Sequence, residues 1–177
     1  MSAILQTPRL DLIPLSPAAI RAALAEDHER MGQLLGIFVP ANWEVRREFL
    51  ELCLRQLEAN PALQPWLMRA ISLRSEGRLI GDIGFHSDPT VAPAPSPKSA
   101  ELGYCVLAAW RRQGYAQEAA EALIQWACDQ HEVHRFVLSI SPENQPSQAL
   151  AAKLGFRHIG SKIDEVDGLE EIFERMV

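Results

Sequence analysis

Residues Leu107 to Ala119 run from the end of an apolar segment, through a short link, to a glycine where helical periodicity begins. The first turn of any helix presents backbone N–H groups without intrahelical acceptors, at the positive end of the helix dipole. An anion is favoured there. Gly114 can take a positive φ and lets an oxygen-rich ligand approach the backbone. Ala116 is small and keeps the surface open, and Arg111 and Arg112 add positive charge beside the donors. The segment Arg111-Arg112-Gln113-Gly114-Tyr115-Ala116 therefore has the makeup of a pyrophosphate cradle without a phosphate-loop lysine. Neither G-x-G-x-x-G after a strand nor G-x-x-x-x-G-K-[ST] occurs, so the two common nucleotide-binding loops have no support. Taken alone, the segment fits a helix start with two solvated arginines equally well.

Other reactive side chains are few. Cys53, Cys105 and Cys128 are odd in number and far apart. They fit no metal-ligand spacing and no disulfide framework. They read as small core hydrophobes in a reducing cytoplasm. No cysteine or serine sits in a nucleophile motif. His131 and His134 follow a helix end, where a cation complements the dipole, and that reading is favoured over a catalytic base. Trp43, Trp66, Trp110 and Trp126 read as packing residues rather than a ligand cage.

The elements that must position these residues follow from periodicity and punctuation. Arg9 to Leu15 alternates as a first strand, which Pro14 either marks as an edge or ends. Ser16-Pro17 starts a helix with a serine cap and a proline in the first turn. That helix is expected to reach Leu35, with Ile20, Leu24 and Met31 inward, and to stop at Gly36. A second helix is expected from near Asn42, with Phe49, Leu50, Cys53, Leu54 and Leu57 at steps of three and four, until Asn60-Pro61. Trp66 to Leu73 and Leu79 to Phe85 read as strands. Gly81 and Gly84 suggest a bulge or close backbone approach in the latter. Asp88 to Ser99, with four prolines, is expected to be an exposed, mobile hairpin loop within one domain. Ala100 to Leu107 is a strand, Gly114 to Gln130 an amphipathic helix, and Arg135 to Ile140 a strand. Pro146 to Lys153 is a short helix closed by Gly155. Phe156 to Ile163 and Glu171 to Val177 should pair as a final hairpin.

The order is β-α-α-β-β-β-α-β-α-β-β, without an internal repeat. Helices are too few for a doubly wound sheet. The expected class is α+β (mixed α/β), a mixed, mostly antiparallel central sheet with helices on both faces. The strands at 100–107 and 135–140, joined by a helix, form one parallel unit. With 177 residues, 47% apolar and 23% charged, residues 1–177 are expected to form a single domain. The net charge of −6 argues against a nucleic-acid partner. No apolar run reaches the roughly 18 residues of a membrane span, and the N-terminal residues do not read as a secretory signal.

Four ordered motifs add a resemblance. Glu101-Leu102-Gly103-Tyr104, then Arg111-Arg112-Gln113-Gly114-Tyr115-Ala116-Gln117-Glu118-Ala119, then Asn144-Gln145-Pro146-Ser147, then Lys153-Leu154-Gly155-Phe156 resemble the GNAT superfamily of N-acetyltransferases. The closest likeness is to its ribosomal-protein N-terminal acetyltransferase branch. The likeness extends over nearly the whole chain in element order and is specific in residues from about Gly81 to Phe156.

The resemblance implies acetyl-CoA as co-substrate, no metal, and an amine acceptor that is a peptide N-terminus or a small molecule. It implies that the N–H groups from Arg112 to Ala116, with Arg111 beside them, hold the coenzyme A pyrophosphate. It implies that the backbone of Val106 and Leu107 pairs with the pantetheine arm, and that Asn144 contacts that arm. Two amides in pantetheine make such strand-like pairing physically sensible. Glu101 is the expected base for the amine, since a neutral amine must attack the thioester. Its alternative reading is a surface glutamate at a strand edge. A strand N–H near Val106 could hold the oxyanion. Many relatives place a tyrosine where this chain has Ala151, so Ser147 is the expected partner of the departing sulfur. Tyr104 and Tyr115, the two tyrosines, do not occupy that position. His86 closes a strand on the acceptor side and could contact substrate, and Trp43 could border the acceptor. Members of the family often form dimers, and a homodimer is compatible with this chain. The alternative from another class is a non-catalytic acyl-CoA-binding regulator on the same fold.

Overall fold

The computed structural model describes residues 3–44, 46–86, 98–164 and 168–177. The strands are β1 (Leu5–Gln6), β2 (Leu10–Pro14), β3 (Arg69–Leu73), β4 (Arg78–Phe85), β5 (Ser99–Val106), β6 (Arg135–Ile140), β7 (Arg157–Asp164) and β8 (Gly168–Met176). The helices are α1 (Pro17–Leu24), α2 (His28–Leu35), α3 (Arg47–Ala59), α4 (Tyr115–His131) and α5 (Gln145–Lys153). The strands form one sheet in the order β1-β2-β3-β4-β5-β6-β8-β7. Every named pair is antiparallel except β5–β6. The α+β class, the mixed sheet and the parallel unit across α4 all agree with the sequence expectation.

Two apolar layers sandwich the sheet. One joins the sheet to α4 and α5 through Tyr115, Ala119, Leu123, Ala127, Ala151 and Leu154. The other joins the opposite face to α1, α2 and α3 through Ile20, Met31, Leu50, Cys53 and Leu57. Each large aliphatic side chain taken fully out of water in these layers contributes about 1.5–3 kcal/mol.

Several boundaries differ from expectation. The helix expected to run unbroken from Pro17 to Leu35 is two helices. Glu26 turns the chain at φ 56°, and the Asp27 carboxylate then caps α2 by accepting from the Arg30 N–H at 2.8 Å. Local capping overrides a hydrophobic stripe that would have allowed continuity. The second helix starts at Arg47 rather than near Asn42, and the strand expected from Trp66 begins at Arg69. Pro14 ends β2, which is an interior strand because β1 lies outside it. The short strand β1 was not foreseen. The hairpin loop expected over Asp88–Ser99 falls outside the described residues, apart from Lys98 and Ser99.

The glycines of β4 act as expected. Ile71 pairs with Gly81 and Ser72 with Leu79, so Ile80 is an extra residue bulging from the ladder. A Cβ on Gly81 would lie 2.2 Å from the Cys105 carbonyl oxygen, and one on Gly84 would lie 2.6 Å from that of Leu67. Glycine is required at both places for backbone approach. Among the described residues no helix is long and apolar enough to cross a membrane.

Candidate active site

The link after β5 has the form of an anion cradle. Arg112 stands at φ 63° and Gly114 at φ 82°, two left-handed residues separated by one. Together they turn successive N–H groups toward one side, the geometry of a backbone nest. None of the backbone N–H groups from Arg112 to Gln117 donates to an acceptor among the described residues. The first protected donor is that of Glu118, which bonds the Gly114 carbonyl at 3.0 Å. A row of open donors at the start of a helix suits a pyrophosphate.

The loop is clamped from a distance. The Arg9 guanidinium donates from Nη1 to the Gln113 carbonyl at 3.0 Å and from Nε to the Glu118 carboxylate at 2.7 Å. It also lies 4.4 Å from the centre of the Tyr115 ring. The Arg9 N–H and the Thr7 hydroxyl donate to the same carboxylate at 2.9 and 2.5 Å. Burial raises the Glu118 carboxyl, but these donors outweigh it and hold its pKa below the usual glutamate value. Sequence reading did not find this clamp. Arg9 and Glu118 are separated by 109 positions, and no local pattern links them.

The sequence-expected loop residues do different things. Tyr115 is buried and packs its ring beneath Arg9, so only its N–H belongs to the cradle. Gln113 braces the link, donating to the Ala109 carbonyl at 3.3 Å. The Arg111 Nε donates to the Val106 carbonyl at 2.7 Å, which ties the guanidinium to the end of β5 instead of leaving it free beside the donors. The exposed Arg112 side chain is the one arginine of the pair without a described contact.

Beside the cradle, β5 and β6 part. They pair at Ser99–Arg135, Ala100–Phe136 and Glu101–Val137, and no further. The bonds of His86 N–H to the Glu101 carbonyl and of Leu107 N–H to Ile80 set the alternation along β5. Odd-numbered residues there face β4, so the peptide groups of Tyr104 and Val106 face the opening toward β6. Val106 therefore presents an N–H to the gap. Leu107 does not, because its N–H is held by Ile80 at 2.9 Å and its carbonyl by the Trp110 N–H at 2.8 Å. The strand edge suits an extended, amide-bearing arm at Tyr104 and Val106 rather than at Leu107.

Glu101 lies on the far face of the sheet from α5. Its Oε1 accepts from the Ser139 hydroxyl at 2.7 Å. The same oxygen is 3.7 Å from His86 Nδ1 and 3.9 Å from Lys162 Nζ. Its Oε2 has no partner among the described residues. One oxygen is thus anchored and the other is open to accept a proton. His86 is held in place by contact: a Cβ on Gly103 would lie 2.7 Å from His86 Nε2, and the Phe49 ring meets the imidazole edge-on at 5.6 Å. Burial lowers the His86 pKa more than Glu101 raises it, so the imidazole is neutral at pH 7. Lys162 stays charged, since Glu101 and Glu170 outweigh its partial burial. Ser139 and Lys162 were not singled out from sequence.

Nearby, buried Asp82 accepts from Trp43 Nε1 at 3.1 Å and from Arg46 at 2.6 Å. Burial pushes its carboxyl up, and both donors pull it back. Trp43 is thereby a buried structural donor. A cleft of about 180 Å³ opens beside this group, lined by Trp43, Glu44, Gly81, Cys105, Leu107 and Arg111.

On the other face, the Asn144 side chain caps α5 by accepting from the Ser147 N–H at 3.2 Å. Asn144 is otherwise exposed. Ser147 stands in the first turn of α5, and Ala151 is buried one turn later. Trp66 and Trp126 pack in the core, with His131 against both rings at 4.7 Å. Cys53 is pushed up to about 11 by burial, and burial likewise raises Cys105 and Cys128, so none is an activated thiolate. Among the described residues, no cluster of His, Cys, Asp and Glu could hold a metal ion.

Comparison with known proteins bears on this geometry. The family model for the acetyltransferase (GNAT) domain matches residues 9–157. An N-acetyltransferase of Bacillus subtilis strain 168, itself uncharacterized, is 28% identical over 159 residues, spanning 86% of this chain and 89% of its own. A ribosomal-protein-S5-alanine acetyltransferase from Vibrio fischeri has the same fold, with a TM-score of 0.71 at 16% identity over 99% of this chain and 97% of its own. The microcin C7 self-immunity acetyltransferase, solved with acetyl-CoA and AMP, gives 0.67 at 17% identity over 97% and 94%.

The Arg9–Glu118 clamp makes stability depend on pH. A carboxyl whose folded pKa is lowered stabilises the fold above its unfolded pKa and loses that contribution as pH falls through the folded value. Glu118→Gln should cost about 1–2 kcal/mol at pH 7, the charged hydrogen bonds being discounted for half-exposed Arg9. Urea unfolding should show that deficit shrinking as pH drops below the ordinary glutamate range. An equal deficit at every pH would contradict the clamp.

Proposed function

The chain belongs to the GNAT acetyltransferase family, and we propose that it moves the acetyl group of acetyl-CoA directly onto a primary amine, with Glu101 as base. It is an acetyltransferase by family. The observation that carries the reading is the run of open N–H donors from Arg112 to Gln117 beside a parted strand pair. Those donors and the Val106 edge fit a pyrophosphate followed by an amide-bearing arm. The thioester, when bound, would supply an activated acyl carbon.

The chain's residues divide the remaining work. The cradle from Arg112 to Ala116 holds the pyrophosphate, with Gly114 supplying backbone access. Val106 offers its one free backbone group, the N–H, to the arm, its carbonyl being held by Arg111. Asn144 adds a side-chain amide. Arg111 keeps the end of β5 in position through the Val106 carbonyl. Glu101 Oε2, directly or through one water, accepts the amine proton while Oε1 stays bound to Ser139. The Ser147 hydroxyl meets the departing sulfur. With no activated cysteine and no nucleophile motif, the transfer runs in a ternary complex.

The acceptor is proposed to be a protein or peptide N-terminus. The support is the likeness to the ribosomal-protein acetyltransferase named above, an enzyme of the same fold. A small-molecule amine is the alternative acceptor. The three unpaired cysteines are consistent with work in the cytoplasm. A non-catalytic acyl-CoA regulator would not require Glu101 to have one oxygen anchored and the other open.

Three measurements test this. At fixed acetyl-CoA, a panel of peptides with free N-termini and small amines should release free thiol for at least one class. No release with any amine would favour the regulator. Gly114→Glu puts bulk and negative charge in the cradle, and titration calorimetry should show acetyl-CoA affinity falling by at least about 100-fold. Unchanged affinity would remove the loop from the site. Glu101→Gln should lower kcat by about 10²–10⁴-fold while acetyl-CoA affinity holds. Full turnover across the pH range would exclude Glu101 as the base.

A further inference from the structure

His86 follows the last residue of β4, and its backbone N–H bonds the Glu101 carbonyl at 3.0 Å. Its imidazole lies across Gly103 of β5. Nδ1 is 3.7 Å from Glu101 Oε1. Nε2 is the ring atom nearest Gly103, since a Cβ there would lie 2.7 Å from Nε2, 3.5 Å from Cδ2 and 3.8 Å from Cε1. The bare glycine thus gives the ring its place. Side chains two apart along a strand share a face, so Gly103 is on the face of Glu101. It is also the first residue of that face beyond the last β5–β6 pair. The two ring nitrogens therefore differ in surroundings. Nδ1 faces the carboxylate, and Nε2 faces the stretch of β5 where the strands have parted. A neutral imidazole has one donor and one acceptor nitrogen. Beside a carboxylate, Nδ1 is the donor and Nε2 the acceptor. The side chain is 44% exposed, so water also reaches it.

An α-amine, with an ordinary pKa of about 7.7–8.0, is mostly ammonium at pH 7. Acetylation then removes two protons from one nitrogen, and Glu101 Oε2 takes only one of them. Resting on the reading of Glu101 as the base, we infer that His86 Nε2 takes the other, the proton that must leave the ammonium before the nitrogen can attack. Nδ1–H meanwhile turns to Glu101 Oε1. That contact must shorten by about 0.5 Å to become a hydrogen bond, as catalytic hydrogen bonds often do in the complex. The sequence of bonds is then complete. Nε2 gains the ammonium proton, and the nitrogen lone pair bonds the acyl carbon. The second proton passes to Glu101 Oε2, and the carbon–sulfur bond breaks with its electron pair on sulfur. The thiolate recovers a proton from Glu101 through water, and His86 returns the other to solvent. One ammonium and one thioester give one amide, one thiol and one proton. The charged groups facing the ring suit this role. Burial lowers the imidazole pKa most, Glu101 of β5 raises it, Arg46 ahead of α3 and Lys162 of β7 lower it, and Glu170 of β8 raises it. The net direction is downward, so the ring is neutral at pH 7 and able to accept.

The experiment follows the pH dependence of His86→Gln, which keeps a polar side chain beside Phe49 but accepts no proton. The probe is the peptide or small amine that releases thiol fastest, at saturating acetyl-CoA. Without His86 only the neutral fraction of the amine can react, roughly one tenth for a peptide N-terminus at pH 7. The variant's kcat/KM for the amine should therefore fall about tenfold at pH 7 and match the wild type near pH 9, where the amine is already neutral. A more basic amine should show a larger deficit that closes at higher pH. The deficit of Glu101→Gln should persist at every pH, because the second proton must always leave. Should His86→Gln lower the Tm, Gly103→Ala displaces the ring without removing it and should show the same pH-dependent deficit. A deficit of equal size at every pH would make His86 structural and overturn the inference, and so would no deficit at all. If Glu101→Gln keeps full turnover, the Glu101 reading falls and the inference with it. If Glu101→Gln alone loses turnover, only the inference fails.

Discussion

The structure depends on one feature of its sheet, the parallel pair β5–β6 that separates after three residue pairs. Two parallel strands cannot be joined by a hairpin, so a helix must cross between them. That helix is α4, and its N-terminus necessarily stands at the end of β5. The same separation leaves peptide groups of β5 facing an opening. A helix start rich in open N–H groups and an unpaired strand edge thus come side by side from one topological cause. Gly81 of β4 lets the end of β5 come close, since a Cβ there would lie 2.2 Å from the Cys105 carbonyl oxygen.

The polar groups divide between the two faces of β5. Glu101, with Ser139, His86 and Lys162 around it, lies on the face away from α5. Tyr104, Ser147 and Asn144 lie on the side of α5. Alternation along one strand therefore puts the Glu101 carboxylate and the side chains beside α5 on opposite faces of the sheet. Lys162 is a positive charge beside Glu101, and neutral His86 sits next to it. This face of β5 is thus mixed in charge rather than simply acidic, although the chain as a whole carries −6.

Much of this was legible from residue order. The class of sheet, the parallel unit, the left-handed turn at Gly114, and the close approach at Gly81 and Gly84 all follow from local patterns. Glycine, proline and capping residues act within a few positions of themselves. Where competing local signals were present, reading erred by a boundary. Asp27 capped a new helix inside an apolar stripe, and α3 began after Arg46 instead of near Asn42. The roles of Arg111 and Leu107 moved for another reason. Both were placed near the ligand by motif, yet Arg111 binds the Val106 carbonyl and Leu107 is paired with Ile80.

The sequence by itself determined what is periodic or contiguous: the helices and strands, the glycine turn before α4, and the candidate glutamate on β5. Only the tertiary structure decided which distant groups meet. Arg9 clamps the loop from 104 residues before Gln113, and Ser139 and Lys162 reach Glu101 from other strands. Such contacts depend on strand order and on which face each residue takes. Those are set by how the whole sheet packs between two apolar layers, and no short stretch of chain encodes them.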